Sequence, residues 1–247
     1  MRESNRSLAP RSRSLEALDF RDGAVFEPST GLFVGRSGHR YLWSRGATLA
    51  GVAAVGGTYT APATLPAYES ADNRLGVNLG TSDVFRSNDP VGWLPQDLSG
   101  ELVFVERGAR VGASGDTIFS IAGDDPTTGV RLFLDTTGTA SGFYRLTYHN
   151  GSTSVTATLT SGQPTAGQLV RLRWLWSAAG LTLRQSINGG AFTQATSGAL
   201  ALPSAFATGA RLRIGRRGIT QNPAPLTLLS VFVAPGTLTD AQFDEGW

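Results

Sequence analysis

Leu169-Val170-Arg171-Leu172-Arg173-Trp174-Leu175-Trp176 reads as one β-strand with two unlike faces. Successive strand side chains point to opposite sides of the sheet. Val170, Leu172, Trp174 and Trp176 therefore share one face, and Leu169, Arg171, Arg173 and Leu175 share the other. The first set is wholly apolar and is expected to line a core. The second carries the arginines and is expected to face water, which makes Arg173 a solvent-side residue. Downstream, Leu181 to Ile187 gives a second strand running into Asn188-Gly189-Gly190. That composition suits the positive φ angles of a tight hairpin turn.

The same texture continues outward in both directions. Upstream lie Glu101–Glu106, Asp116–Ile121, Val130–Leu134, Phe143–Tyr148 and Val155–Leu159, and downstream lie Ala210–Gly215 and Leu226–Val233. Short β runs separated by Gly, Asn, Asp and Ser are the pattern of an antiparallel sandwich. Arg211 and Arg213 alternate with Leu212 and Ile214 and are expected on a solvated face. Thr239 to Glu245 alone reads as a short helix, with Thr239 as its N-cap.

The expected organisation is threefold. Residues 1–13 form a basic tail, 14–97 a small irregular β-rich N-terminal module, and 98–247 an all-β sandwich domain. Ser87 to Pro95, with two prolines and an Asn-Asp turn signal, is the expected junction.

Composition agrees with many short strands. The 247 residues include 31 glycines, with a hydrophobic fraction of 40% and a charged fraction of 16%. The charged share falls below the roughly 25% of an average domain. No cysteine is present, so disulfides and thiolate metal sites are excluded. All 21 basic residues are arginine, which coding bias explains without help from function. A net charge of +2, despite Arg216-Arg217 and the strand arginines, gives little support for nucleic-acid binding. The first fourteen residues lack an apolar signal core and no stretch is long enough to span a membrane. The expectation is synthesis in a cytoplasm without membrane insertion.

A glycosidase needs two carboxylates roughly 5–9.5 Å apart, and Glu-x-Asp-x-x-Glu, the natural way to align them on a strand, is absent. Glu101 and Glu106 bound one strand at odd spacing and so point to opposite faces. The two histidines, His39 and His149, have no ligating cluster beside them, so zinc sites and nucleophilic triads are not expected. The expectation is a protein that is not an enzyme.

Gly123-Asp124-Asp125-Pro126 and Asp135-Thr136-Thr137-Gly138 carry the hard oxygen ligands that calcium takes. The plainer reading is that these Asp and Thr residues cap turns, and no other cofactor is indicated. Candidate glycan contacts are Trp93, in a loop between Gly92 and Pro95, and Tyr148, His149 and Asn150, read as an exposed turn before Gly151.

The order of the last strands carries a resemblance. An Arg/Trp strand precedes a strand ending in Asn188-Gly189-Gly190. Then come Leu212-Arg213-Ile214-Gly215, and finally Leu226–Val233 running into Leu238-Thr239-Asp240-Ala241-Gln242. This resembles the concanavalin/laminin-G jelly roll over about 150 residues, and implies that fold for 98–247. The upstream segment carries a second resemblance. Trp43-Ser-Arg-Gly-Ala-Thr-Leu49, Ala61-Pro-Ala-Thr-Leu-Pro66 and Leu75-Gly-Val-Asn-Leu79 resemble a segment of bacteriophage tail and head-fibre proteins. Its first element, Ser44-Arg45-Gly46-Ala47-Thr48, is shortened, and its middle element, Pro66-Ala67-Tyr68-Glu69, only approximates the phage pattern. With the basic start, the chain is also similar to head-spike proteins of phage-derived gene transfer agents.

The resemblance implies a virion structural protein at the particle surface, made in the host bacterial cytoplasm. Arg2, Arg6, Arg11 and Arg13 would anchor it to capsid or spike subunits. The jelly roll would meet host surface polysaccharide, and the chain would act as a homo-oligomer. A tail-fibre or baseplate component, and a free secreted lectin module, are the alternative readings.

Overall fold

A computed structural model describes residues 97–107, 116–123, 128–137, 143–203, 206, 209–215 and 224–244, with Phe232, Ala234 and Pro235 by backbone only. It also gives the backbone of short strands between Glu16 and Ser87. These early strands are β1 (Glu16–Asp19), β2 (Val25–Glu27), β3 (Leu32–Val34), β4 (Arg40–Tyr41) and β5 (Trp43–Ser44). They continue as β6 (Gly56–Gly57), β7 (Tyr59–Thr60), β8 (Tyr68–Ala71), β9 (Arg74–Asn78) and β10 (Phe85–Ser87). Longer strands follow: β11 (Leu98–Glu106), β12 (Thr117–Ala122), β13 (Val130–Thr136), β14 (Tyr144–Asn150) and β15 (Ser154–Thr158). The set closes with β16 (Leu169–Ser177), β17 (Gly180–Ile187), β18 (Thr193–Thr196), β19 (Arg211–Ile214), β20 (Leu226–Pro235) and a helix, α1 (Asp240–Asp244).

Two antiparallel sheets pack as a jelly-roll-like sandwich, the all-β class expected from the sequence. The first runs β18-β17-β16-β11-β20-β9-β8, and the second β15-β14-β13-β12-β19-β10-β7. Strands from the upstream segment extend both. β9 pairs with Thr227 and Leu228 of β20, β1 pairs with Ser230 to Val233 of the same strand, and β10 pairs with β19. The expected boundary at 97/98 thus does not coincide with an edge of either sheet.

β16 has the predicted faces. Val170, Leu172, Trp174 and Trp176 are all fully buried in the main core cluster. Aromatic pairs join the two sheets across it: Trp174 with Phe119 at 5.5 Å, Trp176 with Tyr148 at 5.4 Å, and Phe104 with Tyr144 at 5.5 Å. Each fully buried large apolar side chain contributes about 1.5–3 kcal/mol. The Asn188-Gly189 turn takes positive φ at both residues, 50° and 75°, as the hairpin reading required.

Gly100 sits directly across from Trp174 in the β11–β16 register. A Cβ there would overlap the indole carbons Cε2 and Cζ2 of Trp174, so only glycine leaves room for the tryptophan to lie over its neighbour strand. Gly100→Ala is therefore expected to destabilise by about 1–3 kcal/mol through overpacking. A denaturant melt read by tryptophan fluorescence checks this, and an unchanged midpoint would contradict the placement of the indole.

Two arginines depart from expectation. Arg173 is 1% exposed and Arg213 2% exposed, so neither lies on a solvated face. Arg213 belongs to a strand flanked on both sides, by β12 and β10. Arg173 points away from the core, as alternation predicted, but α1 and Phe192 cover it. Strand period says which side a residue takes and not whether that side is roofed.

The roof is built by a reciprocal cap. The Gln242 amide N donates to Thr239 Oγ1 at 3.4 Å, while Gln242 Oε1 accepts from the Thr239 amide N at 2.9 Å. This is the Thr-x-x-Gln capping box, and it starts α1 where Asp240 and Asp244, four apart, share one helix face.

Candidate functional site

The densest group of charged side chains among the described residues lies between the outer face of the first sheet and α1. β11 contributes Glu101, β16 contributes Arg171 and Arg173, and β17 contributes Arg184. Register places Arg173 opposite both Glu101 and Arg184. Arg173 donates from Nε to Glu101 Oε2 at 2.7 Å, from Nη1 to Asp240 Oδ1 at 3.1 Å, and from Nη2 to Asp244 Oδ1. Arg184 Nη1 reaches Asp240 Oδ2 at 2.6 Å, and Arg171 bridges Glu101 at 3.4 Å and Asp244 at 3.3 Å. The Arg173 guanidinium also lies 4.6 Å from the Phe192 ring centroid and 4.9 Å from that of Phe243, within cation–π range.

Environment pushes two of these carboxylates apart. Burial raises Glu101 above the usual carboxylate range, against the pull of Arg171 and Arg173, and Asp244 adds to the rise. Burial also acts on Asp240, but hydrogen bonds from Arg184 and Arg173 hold it below its usual range. Such a split is how acid and base roles are separated at catalytic sites. Here the Arg173 guanidinium occupies the space between the two carboxylates, so the cluster works as a clamp. Asp240 and Asp244 were missed as site residues, although their spacing after a capping Thr was legible.

Of the predicted glycan contacts, Tyr148, His149 and Asn150 lie among the described residues. Tyr148 is buried in the core at 2% exposure, and its hydroxyl donates to the Ala201 carbonyl at 3.2 Å. It alternates inward on β14 with Leu146, which corrects its reading as a turn residue open to sugar. His149 is half-buried near the strand end, and its Nδ1 accepts from the Gly151 amide at 2.9 Å. Asn150 is exposed, but its Oδ1 accepts from the amides of Ser152 and Thr153 at 2.9 and 2.8 Å, closing the turn. Trp93 and the anchoring candidates Arg2, Arg6, Arg11 and Arg13 lie outside the described residues.

Of the calcium-type loops, Asp124 and Asp125 also lie outside the described residues. Asp135 is buried in β13 with both carboxylate oxygens taken by Arg145, Nε to Oδ1 at 3.0 Å and Nη2 to Oδ2 at 2.7 Å. Thr136 accepts from the Asp116 amide across the paired strands, and Thr137 accepts from the Phe143 amide, capping the loop between β13 and β14. Glu101 and Glu106 do point to opposite faces. Glu106 accepts from the Tyr144 hydroxyl at 2.7 Å on the inner side, while Glu101 lies under Arg173.

No protein-family model matches the sequence, and no curated protein does. Solved structures do match. Domain 4 of AbnA, a GH43 extracellular arabinanase from Geobacillus stearothermophilus, in complex with arabinotriose, aligns with a TM-score of 0.55 at 13% identity, covering 94% of this chain and 97% of that one. Full-length tailspike protein 2 of Escherichia coli O157:H7 bacteriophage CAB120 gives a TM-score of 0.55 at 16% identity, over 77% of this chain and 27% of the tailspike. A GH54 α-L-arabinofuranosidase gives 0.50 at 12% identity, over 87% of this chain and 49% of the enzyme.

The likeness is one of fold. It spans about a quarter of the tailspike and half of the arabinofuranosidase. It also corrects the expectation that the chain is not an enzyme, because the same fold recurs in a GH43 arabinanase and a GH54 α-L-arabinofuranosidase. A missing Glu-x-Asp-x-x-Glu strand does not exclude glycosidase chemistry, since that motif is only one way to place two carboxylates.

Proposed function

We propose that the chain is a surface component of a virus particle that engages host cell-surface polysaccharide through its β-sandwich, in the manner of a head spike or fibre. The observation that carries this reading is the shared fold with a phage tailspike over most of this chain. The end-to-end match to a domain bound to arabinotriose supports the saccharide part of it. On this reading the chain is made in the host bacterial cytoplasm and joins the particle surface. Arg2, Arg6, Arg11 and Arg13 dock on acidic capsid or spike subunits through charge-assisted contacts. Weak individual glycan contacts are multiplied by the number of copies on the particle.

The test is binding of purified protein to polysaccharide extracted from the surface of the host, by calorimetry, with polymer length followed by size-exclusion chromatography. Saturable binding that is lost on unfolding the protein is the expected result. Binding with progressive shortening of the polymer would add glycosidase turnover to the same surface. Absence of binding to polysaccharide from a host that the particle adsorbs to would contradict the proposal.

A further inference from the structure

We propose that α1 is a proton-tightened latch, which closes over the Arg173 face of the first sheet when Glu101 is protonated and loosens when Glu101 is ionised. Arg173 is shared between the sheet and the helix. Glu101 holds it from the sheet side, and Asp240 and Asp244 hold it from the helix side. Arg171 is divided in the same way between Glu101 and Asp244. Glu101 and the helix thus compete for the same guanidinium groups. The charged groups facing Glu101 among the described residues are Arg171 and Arg173 from β16 and Asp244 from α1, with Arg184 and Asp240 completing the network.

Glu101 has a place for a proton. Its Oε2 takes the arginine contacts, while its Oε1 is buried with no hydrogen-bond partner among the described residues. A proton on Oε1 breaks no existing bond. It leaves three arginines facing two carboxylates, both on α1, so every guanidinium is then drawn toward the helix. It also removes the repulsion between Glu101 and Asp244.

The converse follows by linkage. Opening α1 would take away Asp244 and part of the cover over Glu101, and both raise its proton affinity in the closed state. Glu101 therefore binds its proton more tightly when closed, and the latch loosens as pH rises through the Glu101 titration. Asp240 is held below its usual range, so the helix keeps that charge throughout this window.

α1 is well suited to such movement. A five-residue helix cannot hold its shape alone, and Phe243 is its one buried side chain among the described residues. Asp240 and Asp244 have side chains 49% and 59% exposed, so water already reaches the helix side of the clamp. Opening uncovers the Arg173 guanidinium beside the Phe192 ring, giving a cationic patch flanked by an aromatic face.

The test is amide hydrogen exchange of the segment from Thr237 to Asp244 in the full chain, corrected for intrinsic rate, from about pH 8 to about pH 5. Wild type should show corrected exchange that slows several-fold toward the acid end. Glu101→Gln, which mimics the protonated acid, should be slow and flat throughout. A flat wild-type profile, or a Glu101→Gln profile with the wild-type slope, would overturn the proposal. Should Glu101→Gln fail to fold, the 13C titration of the Glu101 carboxyl in wild type decides. A midpoint shared with the exchange profile supports the latch, and a midpoint that does not match it overturns it.

Discussion

Arg173→Ala is expected to destabilise the protein by about 3–5 kcal/mol at neutral pH, the cost of breaking a buried ion pair from one side. Arg173 and Glu101 are each 1% exposed, so the substitution strands a carboxylate where water cannot solvate it. It also deprives Asp240 and Asp244 of their shared partner and removes the cation–π contacts to Phe192 and Phe243. The loss should shrink as pH falls. Without its closest donor, Glu101 takes up a proton more readily, and a neutral acid costs less to bury. Replacing both partners, Glu101→Met with Arg173→Leu, should recover most of the stability, since an apolar pair of similar volume leaves no uncompensated charge. Denaturant melts of the two single variants and the double variant measure this. A cost near 0.5 kcal/mol for Arg173→Ala, typical of an exposed position, would show that the helix does not cover it.

Trp174→Ala is expected to cost a similar amount, about 3–5 kcal/mol, by a different route. Its indole is fully buried, packs on Phe119 of the opposite sheet, and lies over Gly100 on the neighbouring strand. Truncation leaves a cavity at a point where the two sheets meet, and no side chain on Gly100 can fill it. Here pH should matter little, because no titrating group is stranded. The pH dependence of the two variants therefore separates loss of packing from loss of a charge partner. A melt unchanged by Trp174→Ala, with weakened binding to a glycan, would mean that the tryptophans face outward as a stacking platform.

The side each strand residue takes was readable from alternation alone. Trp174 and Trp176 face inward, and Glu101 and Glu106 part to opposite faces. What alternation does not carry is the third dimension. Arg173 was placed on the correct face but expected in water, because its burial depends on a helix more than sixty residues later in the chain. Tyr148 was read as part of a turn from the His149-Asn150-Gly151 composition, yet β14 continues through Asn150 and keeps Tyr148 in the core. The Asp135 loop looked like a cation site by composition, whereas cross-strand register hands its carboxylate to Arg145. The pairing of β1, β9 and β10 with strands more than a hundred residues away follows from long-range contacts that no local pattern encodes. The capping box at Thr239 and Gln242 is local, and the N-cap was read correctly.

On the proposed function, this sandwich sits on a virus particle and meets polysaccharide. A density map of the assembled particle, at a resolution that shows β-sheets, should then show the two-sheet sandwich projecting from the particle surface, with the basic N-terminal segment directed inward against a capsid or spike subunit. Particles purified from the producing cell that carry no such density, while the chain is recovered free in solution, would contradict it.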